Sequence, residues 1–382
     1  MSLFKRIIFA FISVCVAVFL VCSPVYIFQA LGENKYREWL EVKPEPYSGI
    51  ITLWHIVGFK PYEGSAGSWL IKRAKKFEKK YNGVFIEVLS MTEEEAAQRL
   101  DRGEKPDMYS FALGWSYPER FVPLENFDYP FIGNLKSCGY ANGSCYAVPF
   151  MLSGYLLLVN VELAQERSLP LPKKPEDISP QWLAEAQKTL TFSRGKKKAQ
   201  IAGLAASPEI AAYTGAGAET ADPEAFKSKQ AAMAIADLRF AGDVSRSLEE
   251  GNGFLFEAYP VTSYTNLVQL IGISRDIDER EAAYANVFID MLLGEQAQAS
   301  LAEIGALPVI ELSGETEKPA APGLSAMLAP CMAEPVVPNA FLYQRYKTAL
   351  TEAALRALKG DEAGRTEFDE RVKELVKPGP ME

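Results

Sequence analysis

The residues able to do covalent or metal chemistry are few. His55 is the only histidine, the five cysteines lack zinc spacing, and no nucleophile elbow is present, so neither a serine triad nor a zinc centre has its parts. The run Thr214-Gly215-Ala216-Gly217 lacks the Lys-Ser or Lys-Thr pair of a phosphate loop. No loop matches an EF-hand, so no metal or cofactor is expected, although a carboxylate-only calcium site stays open. Paired carboxylates of a hydrolase also stay open, because a sequence does not give their separation. What remains is binding chemistry, in which aromatic faces and a few polar groups line a crevice for a small solute. Trp54 ends the first strand-like run, Tyr62 and Glu63 lie on the following loop, and Trp115 follows the third run. Ser153 and Tyr155 sit between two strand-like runs, and Asp237 and Arg239 follow AAMAIA. Plainer roles compete: Trp54 as strand packing, Asp237 and Arg239 as a surface ion pair of little energetic weight. His55 reads as structural, and Trp69 and Trp182 as core.

The elements that position these residues are legible between Ile51 and Trp115. ITLWHI, a basic amphipathic segment, VFIEVL, an acidic segment and PDMYSFALGW alternate strand, helix, strand, helix, strand. That order builds a parallel sheet whose strand ends open onto a crevice. Leu70, Ala74, Phe77 and Tyr81 recur at helical spacing, with Lys72, Arg73, Lys75, Lys76, Lys79 and Lys80 mostly on the other face. Asn82-Gly83 supplies a left-handed stop. Thr92 and Glu95 form a capping box for the second helix, which Gly103 and Pro106 end. Further strands are predicted at Tyr146–Phe150, Tyr155–Val159 and Val268–Ile273. Helices are predicted over Arg280–Leu293, through Ala297, Leu301 and Ile304, and in a tail with stripes Tyr346, Leu350, Ala353 and Phe368, Val372, Leu375.

The words ITLWH, FEKKYNGVFIEV, PDMYSF, YAVPFMLSGYLLLVNVELAQERSL, KQAAMAIADLRFAG and LIGISRDIDEREAAYANVFIDMLLGEQAQASLAEIGALPV occur in this order. The ordered series resembles the extracellular solute-binding proteins of carbohydrate ABC importers, the maltose-binding-protein-like family 1. The resemblance implies an α/β, two-lobed periplasmic-binding-protein-like fold of type II. Each lobe would be a mainly parallel sheet flanked by helices, behind an N-terminal transmembrane helix. It places crossings near Met151–Gly154, Val261–Leu267 and Ala306–Val309. Lobe one is then 48–151 with 265–308, and lobe two 152–264 with 309–382, the tail helices packing on lobe two. Implied partners are a small polar solute, expected to be a carbohydrate, and the permease subunits, with the receptor itself a monomer and not an enzyme. Between Phe192 and Phe226 this chain is shorter than the family and Ala- and Gly-rich, with Tyr213 its only aromatic. A related sensor or partner-binding protein without a transport role is therefore the alternative.

Lys5 and Arg6 precede an uncharged stretch from Ile7 to Leu31, longer than the ~20 residues a membrane helix needs. Residues 1–32 are thus a membrane anchor or signal segment, 33–47 a spacer, and the body lies outside the cell membrane by the positive-inside rule. Cleavage and lipidation at Cys22 both stay open. The net charge of -9 leaves no basic footprint for nucleic acid. Cys138 and Cys145 flank Asn142-Gly143, the strongest short hairpin signal, which places a disulfide across that turn within reach.

Overall fold

Alternating apolar periods generate β1 (Gly49–Ile56), α1 (Ala66–Lys80), β2 (Val84–Met91), α2 (Glu93–Asp101) and β3 (Met108–Ala112) in the predicted order. The computed structural model describes residues 47–124, 128–174, 177–179, 181–182, 192–194, 205–206, 224–260, 262–313 and 324–376. The apolar segment of 7–31, Cys22, the spacer to Pro46, Tyr213 and the 214–217 run lie outside the described residues, and no described helix is long and apolar enough to cross a membrane. Ser65 caps α1 by accepting from Ser68 N at 3.1 Å, and Thr92 caps α2 by accepting from Glu95 N at 3.2 Å. Gly83 takes φ +92°, the left-handed conformation that stops the chain after α1. Leu70, Ala74 and Phe77 are buried, whereas Arg73 departs from the basic face: it is buried with its guanidinium 5.5 Å from the Trp69 ring.

Next come β4 (Tyr140–Ala141), β5 (Ser144–Cys145), β6 (Val148–Leu152), β7 (Tyr155–Asn160), α3 (Val161–Glu166), β8 (Phe192–Arg194) and α4 (Glu224–Lys227). They are followed by β9 (Met233–Asp237), α5 (Leu238–Glu249), β10 (Phe256–Pro260), β11 (Val268–Ile273), α6 (Glu279–Leu293) and α7 (Glu295–Ala299). The tail holds α8 (Leu324–Leu328), α9 (Ala340–Ala357) and α10 (Glu362–Val376). Two main sheets result, β2-β1-β3-β11-β6 in lobe one and β10-β7-β9-β8 in lobe two.

The expectation of mainly parallel sheets holds only in part. β2, β1 and β3 are mutually parallel, but β11 is antiparallel to β3 and β6, and in lobe two β8 and β9 are the one parallel pair among the described strands. The reason is the direction of entry. β1, β3, β6, β9 and β10 end at the junction of the lobes, whereas β7 and β11 begin there, so the entering strands must oppose those that leave.

Two further expectations are corrected. Cys138 and Cys145 are free thiols. The hairpin forms, with Asn142 and Gly143 at φ 49° and 75°, but its register pairs Cys145 with Tyr140. Cys138 Sγ donates to Pro338 O and Cys145 Sγ to Ala147 O, each at 3.4 Å, and burial pushes both thiols up, Cys145 to about 12. The tail also sits differently. Asn339 Nδ2 donates to Ser137 O and Tyr140 O at 2.9 and 2.8 Å, Ala340 N donates to Cys138 O at 2.7 Å, and Phe341 meets the rings of Phe121 and Tyr146. The start of α9 therefore packs on lobe one, while α10 reaches lobe two where Arg365 Nη1 donates to Ala205 O at 2.7 Å.

His55 lies inside lobe one, its Nδ1 3.0 Å from Ser110 Oγ, and Gln269 Nε2 donates to the same hydroxyl at 3.0 Å. Burial pushes the imidazole down to about 4. An unfolded histidine protonates near ~6.5, so between pH 6.5 and 4 the unfolded chain binds the extra proton and stability falls with pH, by up to about 3 kcal/mol. His55→Asn should flatten that limb of a urea-denaturation series from pH 7 to 4; an unchanged slope would refute the assignment.

Candidate functional site

Three crossings of the chain converge where the sheets end, and side chains from the first two and from the tail form one hydrogen-bonded row. Tyr155, the first residue of β7, donates its hydroxyl to Asn266 Oδ1 at 2.6 Å, and Asn266 Nδ2 donates to Tyr343 Oη at 3.1 Å. Asn266 comes from the second crossing and Tyr343 from the first turn of α9, so the row ties both lobes to the tail. Thr265 Oγ1 donates to Ser153 O at 2.6 Å and Ser153 N to Leu267 O at 2.8 Å, which pins the first crossing to the second. The third crossing joins through paired backbone bonds of 3.0 and 3.1 Å between Leu307 and Leu152. Tyr264 is buried beside this row and its hydroxyl has no partner among the described residues.

Small residues make the convergence fit. A Cβ on Gly154 would lie 2.5 Å from Met332 Cε, and one on Gly114, at φ +78°, would lie 2.9 Å from the Tyr343 ring. Lys347 Nζ donates to Gly114 O at 2.9 Å, a second contact from α9. Across the crevice Tyr62 of lobe one lies on α5 of lobe two, where a Cβ on Gly242 would meet its ring at 3.0 Å. Burial raises the pKa values of Tyr155, Tyr264 and Tyr343, so these phenols stay protonated.

The structure brings some sequence-predicted residues to this junction and takes others away. Tyr62, Ser153, Tyr155 and Asp237 are there, Tyr155 and Asp237 being register partners in lobe two. Asp237 also caps α5, accepting from Phe240 N at 2.9 Å, and Arg239 pairs with Asp243 at 3.3 Å, a half-buried helical pair. Glu63 is exposed on the loop after β1, its N–H bonded to Ile304 O at 2.9 Å. Trp54 is 4% exposed, wedged between Tyr109, edge-on at 6.2 Å, and the Arg99 guanidinium at 5.8 Å. Its face belongs to the interior of lobe one, the plainer of its two expected roles. Trp115 is half-buried and lies against Tyr109 and Phe111 of lobe one. The residues missed are Thr265, Asn266 and Tyr343. Tyr343 had a signal: with Leu350 and Ala354 it forms the buried stripe of α9, whereas Tyr346 is 39% exposed.

Phenols, an amide and hydroxyl-bonded carbonyls suit hydrogen bonding to hydroxyl groups.

No protein-family model matches the chain, and no curated protein matches it in sequence. Solved structures do. The cyclic α-maltosyl-1,6-maltose binding protein from Arthrobacter globiformis aligns with a TM-score of 0.65 at 16% identity, over 87% of this chain and 100% of that one. The GacH receptor of Streptomyces glaucescens, solved unliganded and with acarbose, gives 0.60 at 16% identity over 87% and 99%. The sugar-binding protein MalE from Xanthomonas citri gives 0.60 at 14% identity over 86% and 97%. The fold is that of the two-lobed sugar receptors. These neighbours are binding proteins rather than enzymes, and in this fold the row Tyr155–Asn266–Tyr343 lies where the two sheets meet.

Tyr155→Phe would remove the hydroxyl that donates to the buried Asn266 oxygen, at a cost of about 0.5–1.5 kcal/mol. Urea unfolding should show that loss with an unchanged m-value, and a variant as stable as the parent would mean the bond is idle.

Proposed function

We propose that this chain is a membrane-anchored extracellular receptor that captures a carbohydrate or similar small polar solute between two lobes and presents it to an ABC-type permease. The observation that carries the reading is the junction: uncharged hydrogen-bonding side chains from separate crossings meet at the hinge of a fold shared with sugar receptors. Ligand contacts to both lobes would shift the population toward closure. Lys5, Arg6 and the apolar run to Leu31 support the anchor and the extracellular side. An anchored receptor stays near its permease, which raises its local concentration there.

One observation favours a second reading, a partner-binding or sensor protein that does not transport. Tyr343 of the chain's own tail fills the junction, 6% exposed, and Tyr62 already touches α5.

Thermal unfolding against mono- and oligosaccharides, polyols, amino acids and short peptides separates the two. A sugar at one hundred times its dissociation constant should stabilise the native state by about 2.7 kcal/mol, read as a raised midpoint. A flat response across the panel would sink the receptor reading and favour the second.

A further inference from the structure

Lobe one carries a hollow of about 610 Å³ at the end of its sheet away from the crossings. That end is closed by Ser274 N donating to Asp107 O at 2.8 Å, where β3 starts and β11 stops. Arg120 forms its wall, stacked with its guanidinium 5.1 Å from the Trp115 ring centroid and 5.8 Å from that of Tyr109. The main chain holds it as well, since Arg275 N donates to Arg120 O at 3.0 Å and Phe121 bridges Ser274.

The charges around the hollow are unevenly satisfied. Lys105 takes Asp276 at 2.5 Å. Neither Arg120 nor Arg275 forms an ion pair with a carboxylate among the described residues, although the Arg275 charge reaches Asp276 and Arg120 bonds the Tyr109 hydroxyl, and the buried Nη1 of Arg120 has no hydrogen-bond partner among them. A rigid guanidinium with donors to spare matches a carboxylate in two parallel bonds. Tyr117 stands on the rim, 50% exposed, offering a ring face that a lone anion would not use. Asp101 and Glu119, both exposed on the same lining, can accept from hydroxyls and would repel a second negative charge.

We propose that this hollow is a second binding site, which takes a sugar acid: one carboxylate on Arg120 and Arg275, a hydroxylated ring against Tyr117, and hydroxyls to the rim acids. Burial keeps the Tyr109 hydroxyl protonated at its base, where it remains a donor.

Titration calorimetry of the full chain with D-glucuronate, D-glucose and inorganic phosphate tests the assignment. Saturable heat is expected with glucuronate, none from this site with glucose, and at least about tenfold weaker binding with phosphate, whose dianion meets the rim acids. Tyr117→Ala, at an exposed position, should weaken glucuronate about tenfold with an unchanged thermal midpoint, and Arg275→Gln should weaken it at least as much. Arg120→Gln should abolish it; if that variant does not fold, the first two still decide. Absence of glucuronate binding, equal binding of glucose at the same stoichiometry, or glucuronate affinity unaltered in Tyr117→Ala and Arg275→Gln would overturn the proposal. Because neutral oligosaccharides report on the crevice and glucuronate on the hollow, failure of one reading leaves the other separately measured.

Discussion

A chain that leaves one sheet to enter another carries backbone donors and acceptors into a place where no ladder waits for them, and buried groups left unpaired cost more than paired ones return. The junction of the lobes is shaped by that requirement. Leu152 and Leu307 exchange backbone bonds, Thr265 N donates to Val336 O, and Val336 N donates to Ser263 O. Where backbone partners run out, side chains take over. Gln298, fully buried, donates to Phe150 O and Leu292 O and accepts from Val309 N, using three of its positions on three separate segments. Thr265 does the same for Ser153 O. The crossings are thereby a braced seam, so lobe motion must be absorbed by neighbouring torsions rather than by a slack loop.

The tail completes the seam and changes its meaning. With Asn339 fixed to the carbonyls of Ser137 and Tyr140, the first turn of α9 cannot follow lobe two freely, and Tyr343 is carried to Asn266. Opening that separates α9 from the crossings would break the Asn266–Tyr343 bond and uncover Gly114. A solute entering between the lobes has to offset those losses as well as its own desolvation, and can do so only by contacts absent from the unliganded state.

Much of lobe one was readable because its signals are local. Thr92 and Gly83 declare their turns by type, and the 3.6-residue stripe of α1 names its buried face. What failed was long-range. The second half of β1 is buried on both faces, so alternation could not say which neighbours Trp54 meets. Asn142-Gly143 predicts the hairpin, yet the register sets Cys145 opposite Tyr140 rather than Cys138. An amphipathic stripe on α9 says that one side is covered, not by which lobe; that was decided by Asn339, whose single side chain binds two carbonyls some two hundred residues earlier in the chain. Strand direction was missed for a related reason, since local pattern carries no information about where a strand enters its sheet.

The two ends of the lobe-one sheet differ in a way that bears on what each can hold. At the junction the two charged groups named, Asp237 and Lys347, are both engaged, one capping α5 and the other on Gly114 O. The rest are phenols, an amide and hydroxyls, with no spare ionic partner in the row. Placing a charged solute there would bury an uncompensated charge, a cost of several kcal/mol that no hydroxyl contact recovers. A neutral polyhydroxylated solute incurs only the smaller cost of exchanging water hydrogen bonds for protein ones. At the far end neither Arg120 nor Arg275 forms an ion pair among the described residues while Lys105 has one, so an anion entering there would meet guanidinium groups that are less fully compensated. The two ends of one sheet thus differ in how far their ionic groups are already paired.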